Sequence, residues 1–164
     1  MILDLVTLND SRLHEKSTEI DKIDDDIKEL VEDMYETMHS ANGIGLSAVQ
    51  VGVMKRLFVT DVPVSKGKIV AINPVIKNRS DIMNLYDEGC LSVPGVYGEV
   101  ERPDTVTLEY TDIKGKRKTI TASGLMATCI QHEFDHLEGI LFIDRLPPDE
   151  KTKTVAEYRK INKL

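Results

Sequence analysis

Two histidines and a glutamate near the end of the chain have the spacing of a metal-dependent hydrolase site. They lie in His132-Glu133-Phe134-Asp135-His136, which has the pattern H-E-x-x-H. Because residues i and i+4 share one face of an α-helix, both imidazoles can reach one divalent cation. Glu133 then lies where a general base could take a proton from a water molecule that the cation activates.

The residues around this motif predict a helix of about four turns. The segment 125–131 consists mostly of good or acceptable helix formers, and Gly139 follows as a stop signal. Four side chains recur at positions i, i+4, i+7 and i+11, and we expect them to form one buried stripe: Leu125, Cys129, His132 and His136.

A cation held by two imidazoles needs a third ligand. A metzincin would have a histidine where Phe142 stands, so that class is excluded. A protease of the gluzincin type would use Glu150 or Glu157, but both lie in a charged segment that is better explained as a solvated helix face. Cys90, between Gly89 and a Pro-Gly turn, is the remaining candidate. The other cysteine, Cys129, is expected to be a small buried hydrophobe.

A segment with two glycines follows the first predicted helix. Residues 43–50 read G-I-G-L-S-A-V-Q, and glycines at alternate positions let the backbone approach a ligand without obstruction by Cβ. A phosphate-binding loop is not indicated, because the glycine pattern is incomplete and no Lys-Ser/Thr pair follows. Taken alone, the segment predicts a turn that ends a helix.

Together, three segments resemble the signature motifs of the peptide deformylase family. They are residues 43–50, residues 88–92 with the sequence E-G-C-L-S, and residues 131–139 with the sequence Q-H-E-F-D-H-L-E-G. Their order, spacing and content match, and the resemblance runs over nearly the whole chain. Ser47 stands where the first motif more usually has Ala.

This resemblance implies an enzyme that removes the formyl group from the N-terminal formyl-methionine of newly synthesised polypeptides. Cys90, His132 and His136 would hold one divalent cation with a fourth position open, and Glu133 would be the general acid and base. The resemblance implies Fe(II) as the cation in vivo. Zn(II), Ni(II) and Co(II) also suit this set of ligands.

The resemblance further implies how the substrate is held. The side-chain amide of Gln50 and the backbone N–H of Leu91 would donate to the oxygen that becomes negative during the reaction. The peptide would lie as an added strand along Ile44 and Gly45. The pocket for the methionine side chain would be walled by Gly43, Tyr86, Leu125, Thr128, Cys129 and His132.

Glu88 lies two residues before Cys90 and is a candidate for orienting the site. Arg102 could hold its carboxylate in a bidentate pair. The alternative is a solvated surface ion pair that contributes little. We favour the orienting role for Glu88.

The composition limits the classes of protein that fit. A chain of 164 residues suits one domain with a single core, so residues 1–164 are expected to form one catalytic domain. The net charge of −7 argues against general binding of nucleic acids, and no binding of DNA is expected. With one cysteine assigned to the metal and one to the core, we expect no disulfide and a reducing, cytoplasmic location. No apolar run indicates a membrane span or a signal peptide.

The pattern of elements predicts an α+β fold. A helix is expected over Asp25–Ala41, another follows from Pro148, and a short strand is expected at Ile140–Ile143. Four further strands are predicted, of which the last two form a hairpin around a turn at 112–116: Leu57–Thr60, Ile69–Ile76, Thr105–Thr111 and Lys118–Ala122. Helices do not alternate regularly with strands, which favours α+β over α/β.

The C-terminal segment is basic although the whole chain is acidic. It carries five cationic side chains, namely Lys151, Lys153, Arg159, Lys160 and Lys163. In some members of the family that the chain resembles, a C-terminal helix docks on the ribosome, and ribosomal RNA would attract such a segment at low salt. The alternative is a solvated helix that packs Val155 and Tyr158 on the domain.

Overall fold

The computed structural model describes all 164 residues and contains three α-helices and seven β-strands. The helices are α1 at Asp25–Ser40, α2 at Gly124–Leu137 and α3 at Pro148–Ile161. The strands are β1 at Gly45–Ser47, β2 at Leu57–Asp61, β3 at Lys68–Arg79, β4 at Met83–Cys90, β5 at Val93–Pro103, β6 at Thr105–Thr111 and β7 at Arg117–Ser123. Single 3-10 turns lie at Ser11–His14, Ala48–Val51 and Phe142–Arg145. The predicted α+β class is confirmed.

Five strands form an antiparallel sheet in the order β1-β2-β3-β6-β7. The predicted hairpin is confirmed, because β6 and β7 pair from Thr105 with Ser123 to Thr111 with Arg117. In β6, alternate side chains enter the core, since Val106, Leu108 and Tyr110 are buried. The three-residue strand β1 forms one edge of this sheet.

A second hairpin, formed by β4 and β5, was not predicted. Its strands pair from Met83 with Pro103 to Cys90 with Val93. The local sequence of this hairpin does not indicate strands. Residues 86–89 of β4 are mostly polar, and β5 contains glycines and prolines, which are usually depleted in strands. The hairpin places Cys90 beside the tight connection between the two strands.

Helix α2 lies at the centre of the molecule. It contacts β1, β2, β6 and β7 of the large sheet on one side and β5 of the hairpin on another. Eleven of its fourteen residues are buried, so the predicted single buried stripe is too narrow. Leu125 is only partly buried, whereas Gln131 and Asp135 outside the stripe are buried. Both faces of this helix therefore pack against protein.

The strand predicted at Ile140–Ile143 is wrong. Leu141, Phe142 and Ile143 are buried, but they enter a 3-10 turn in which the backbone N–H of Leu141 donates to Oδ2 of Asp144 at 2.9 Å. A short apolar run does not distinguish a strand from another buried segment, and here no partner strand lies beside it.

The C-terminal helix α3 begins at Pro148 as predicted and packs on β5. Tyr158 is buried in the same apolar cluster as Val96 and Val100, with Val155 partly buried against it. The side-chain amide of Asn162 donates to the carbonyl of Pro94 at 3.1 Å. No helix in the structure combines the length and the apolar character that crossing a bilayer requires.

Candidate active site

Three side chains that can bind a metal converge where α2 meets the end of β4. Cys90, His132 and His136 each offer a ligand atom, and these atoms lie within 4.8 Å of one another. Sγ of Cys90 lies 3.3 Å from Nε2 of His136. Neither Glu150 nor Glu157, the alternative third ligands, joins this group. One thiolate and two imidazoles form a donor set that suits a divalent transition metal and leaves room for a further ligand.

The two imidazoles are held differently. Nδ1 of His132 donates to Oε1 of Glu88 at 2.9 Å, which leaves Nε2 as the ring nitrogen for a cation. Nδ1 of His136 is buried and contacts no protein donor or acceptor. Burial lowers the pKa of His136 well below its ordinary value, which favours the neutral imidazole that metal binding requires.

Glu88 belongs to a buried network of charges. Arg102 donates to both of its carboxylate oxygens, at 2.7 and 3.1 Å, and both side chains are only 5% exposed. The predicted bidentate pair is confirmed, and the alternative of a solvated surface pair is wrong. Burial acts to raise the pKa of Glu88, but the hydrogen bonds from His132 and Arg102 outweigh it and keep that pKa below its usual value.

The same arginine connects Glu88 to Asp135, one turn after His132 in α2. Nη1 of Arg102 donates to Oδ2 of Asp135 at 2.9 Å, and Arg145 binds both oxygens of Asp135 at 3.0 and 3.1 Å. Sequence reasoning missed Asp135 and Arg145. The available signal was an aspartate at position 135, inside a helix whose fold requires most of its residues to be buried.

Glu133 lies between β1 and the cluster of metal-binding side chains. Its carboxylate is buried, and its Oε1 accepts a hydrogen bond from the hydroxyl of Ser47 at 2.9 Å. Burial raises the pKa of Glu133, while the charge of His132 and the hydrogen bond from Ser47 act to lower it. A carboxyl group with a raised pKa is suited to receive and return a proton.

Gln50 is buried on the other side of the cluster. Its side-chain oxygen accepts from the backbone N–H of Ser47 at 3.0 Å. This contact turns the amide NH₂ toward Oγ of Ser92 at 3.1 Å and Sγ of Cys90 at 3.6 Å. A hydrogen-bond donor therefore stands next to the thiol.

These groups open into one cleft of about 680 Å³. Five of the residues that line it belong to the site already described: Gln50, Glu88, Cys90, Leu91 and Glu133. The residues predicted to hold the substrate all line this cleft: Gly43, Ile44, Gly45, Tyr86, Leu125, Thr128, Cys129 and His132. Sequence reasoning missed the contribution of the first residues of β5, since residues 93–96 also line the cleft.

The thiol of Cys129 also faces this cleft, but it differs from that of Cys90. Cys129 is buried in an apolar cluster, and its Sγ lies 3.6 Å from the carbonyl oxygen of Ile44. Burial raises the pKa of Cys129 well above its ordinary value, and the nearby charge of Glu133 adds to the shift. A neutral thiol fits the prediction of a small buried hydrophobe.

Comparison with known proteins assigns this arrangement to a family. Residues 2–152 match the family described as polypeptide deformylase. The chain belongs to that family. It is 46% identical over 165 residues to the peptide deformylase of Maricaulis maris, with 99% of this chain and 95% of that protein covered. It is also 50% identical over 138 residues to the peptide deformylase of Finegoldia magna, with 84% and 85% covered.

Solved structures of the family have the same fold. The peptide deformylase of Ehrlichia chaffeensis in complex with actinonin superposes with a TM-score of 0.94 at 39% identity, with 99% of both chains covered. The deformylase of Legionella pneumophila gives a TM-score of 0.93 at 38% identity, with 99% of this chain and 96% of that chain covered. The resemblance seen in the three sequence motifs is confirmed.

Proposed function

We propose that this deformylase hydrolyses the formyl group of N-formyl-methionyl peptides in a metal-dependent reaction, with newly synthesised polypeptides as substrates in the cytoplasm. The observation that carries the proposal is the convergence of Cys90, His132 and His136 beside the buried carboxylate of Glu133, in a cleft bordered by the edge strand β1. We assign residues 1–164 to one catalytic domain.

The proposed ligands of the cation are Cys90, His132 and His136. Our assignment is Fe(II), with Zn(II), Ni(II) and Co(II) as ions that the same donor set would accept, because ligand type discriminates poorly among them. A divalent ion held there would lower the pKa of water toward neutrality and polarise the formyl oxygen. The Glu88 carboxylate supports this set by fixing the ring of His132.

Glu133 moves the proton in the proposed reaction. Its carboxylate takes a proton from water as the water oxygen bonds to the formyl carbon. When the carbon–nitrogen bond breaks, Glu133 gives that proton to the departing amine. Formate and a peptide with a free N-terminus result, and Glu133 returns to its starting state.

Gln50 and Leu91 are the proposed donors to the formyl oxygen, which gains negative charge as water adds. The amide NH₂ of Gln50 already points toward Cys90, and its orientation is fixed from behind by the backbone of Ser47. The backbone N–H of Leu91 follows directly after Cys90 in the chain. Both donors belong to elements that also border the cleft.

The peptide is proposed to extend the large sheet beside β1. This strand pairs only with β2, so its other edge is available for backbone hydrogen bonds along Ile44 and Gly45. The methionine side chain would enter the part of the cleft lined by Gly43, Tyr86, Leu125, Thr128, Cys129 and His132. In this mode the backbone supplies affinity and the pocket supplies specificity.

Release of formate tests the proposal. The purified protein, loaded with Fe(II) or Ni(II) without oxygen, is incubated with formyl-Met-Ala-Ser and with acetyl-Met-Ala-Ser as the matched control. We expect formate from the first peptide and little or no acetate from the second. Absence of formate, or cleavage of the Met-Ala bond instead, would refute the proposal and favour a protease.

A further inference from the structure

Ser47 connects β1 to the carboxylate of Glu133. Ser47 is completely buried, and its Oγ lies 2.9 Å from Oε1 of Glu133 and 2.9 Å from the main-chain oxygen of the same residue. No other protein group donates to this carboxylate. The contact joins residues 86 positions apart in the chain, so the fold and not local sequence creates it.

The hydroxyl has one proton and two acceptors within reach. The main-chain oxygen of Glu133 is inside α2, where a helical N–H four residues later is its regular partner. Oε1 has no such partner and carries negative charge when Glu133 is ionised, which makes it the stronger acceptor. The Ser47 proton therefore points to Oε1 whenever Glu133 is a carboxylate.

This bond determines which carboxylate oxygen is free. Oε2 of Glu133 lies against Gly45, so close that a Cβ on that glycine would be 2.6 Å from it. Gly45 and Glu133 both line the cleft, and Oε2 accepts no hydrogen bond from the protein and is not fully buried, so Oε2 is the oxygen free to act on the substrate side. With Oε1 engaged by Ser47, rotation of the carboxylate about its last bond is restrained.

We propose that Ser47 is a positioning residue, which holds Oε1 of Glu133 so that Oε2 faces the cleft and carries the transferred proton. The inference rests on the proposed function, since it gives Ser47 a role in the proton transfer assigned to Glu133. Ser47 itself touches neither substrate nor metal ligand in this role; it acts through Glu133.

The side chain of Ser47 can be tested separately from its backbone. The N–H that orients Gln50 belongs to the main chain and is kept in Ser47→Ala. The substitution removes only the hydroxyl, and the buried site loses little volume. Ser17→Ala is the matched control, because Ser17 is also buried and its hydroxyl has no protein partner.

The experiment compares kcat and KM for formyl-Met-Ala-Ser, metal content and the thermal midpoint among wild type, Ser47→Ala and Ser17→Ala. We expect Ser47→Ala to lower kcat about tenfold, as loss of one hydrogen bond to a charged group would, with KM within about twofold and the metal retained. Ser17→Ala should keep kcat. In a Glu133→Ala background, Ser47→Ala should produce no further loss, because its target is absent.

Three results would overturn the inference: an unchanged kcat, a change in KM alone, or an equal loss with and without Glu133. Loss of metal in Ser47→Ala would also overturn it, since the hydroxyl would then support the metal site. Failure of the proposed function is distinguishable, because wild type itself would release no formate.

Discussion

Nδ1 of His132 and Oε1 of Glu88 lie 2.9 Å apart, and Arg102 binds both oxygens of the same carboxylate. The ring of His132 is thereby fixed from the side opposite the cluster of metal-binding side chains. A charged acceptor behind an imidazole sets its tautomer and strengthens it as a ligand. The buried pair with Arg102 therefore holds in place the carboxylate that contacts His132.

Replacing Glu88 by Gln should weaken metal binding by about 10- to 100-fold, because the neutral amide is a poorer acceptor for Nδ1 of His132. Dialysis against a graded series of chelator concentrations, followed by elemental analysis, measures this change. Glu109→Gln is the control, since Glu109 makes its ion pairs with Lys77 and Arg117 at the surface. Equal metal retention by Glu88→Gln and wild type would contradict the role.

The two cysteines form a matched pair for testing the third ligand. Cys90→Ser replaces a soft thiolate by a hydroxyl and should lose most of the metal, whereas Cys129→Ser should keep it and cost only packing. In cobalt-loaded protein, the thiolate-to-cobalt absorption band should disappear in Cys90→Ser alone. If Cys129→Ser abolished the band and Cys90→Ser preserved it, the two assignments would be reversed.

Docking of α3 on the ribosome cannot be tested by deleting the helix, because α3 is part of the core. Tyr158 is 2% exposed within the core, so removing residues after Pro147 would disturb folding as well as charge. Reversing two exposed charges, Lys153→Glu and Lys160→Glu, keeps the helix. We expect this double variant to lose salt-sensitive co-sedimentation with ribosomes and to retain deformylation of a short peptide.

The control for this prediction is Lys114→Glu with Lys116→Glu, in the turn between β6 and β7. These side chains are also exposed, and the change in net charge is the same. If both double variants lost co-sedimentation equally, the effect would come from total charge. If neither lost it, α3 would serve only to pack Val155 and Tyr158 on the domain.

The sequence predicted the elements that have strong local patterns. The amphipathic helix was expected over Asp25–Ala41 and is observed over Asp25–Ser40, and the hairpin of β6 and β7 appears in the expected place. By contrast, β4 and β5 exist because they pair with each other, and their own residues favour strands weakly. The strand predicted at Ile140–Ile143 is wrong for the same reason, because this apolar run has no partner strand and enters a 3-10 turn instead.

The candidate site was predictable for a different reason. Glycine spacing, the isolated Cys90 and the H-E-x-x-H pattern are recognisable without any packing information. The sequence does not predict the contacts of Ser47 with Glu133 and of Arg102 with Asp135, because they join residues that are distant in the chain. Only the folded arrangement of α2 against β1 and β5 brings them together.

The central claim is that Cys90, His132 and His136 bind the metal while Glu133 transfers the proton, and Glu133→Ala tests it most directly. Metal content and formate release are measured on the same samples of wild type, Glu133→Ala and the control Glu157→Ala, whose side chain is exposed on α3. We predict full metal content in all three and a loss of about 100-fold or more in formate release for Glu133→Ala alone. Loss of metal together with activity in Glu133→Ala, or unchanged activity, would contradict the account.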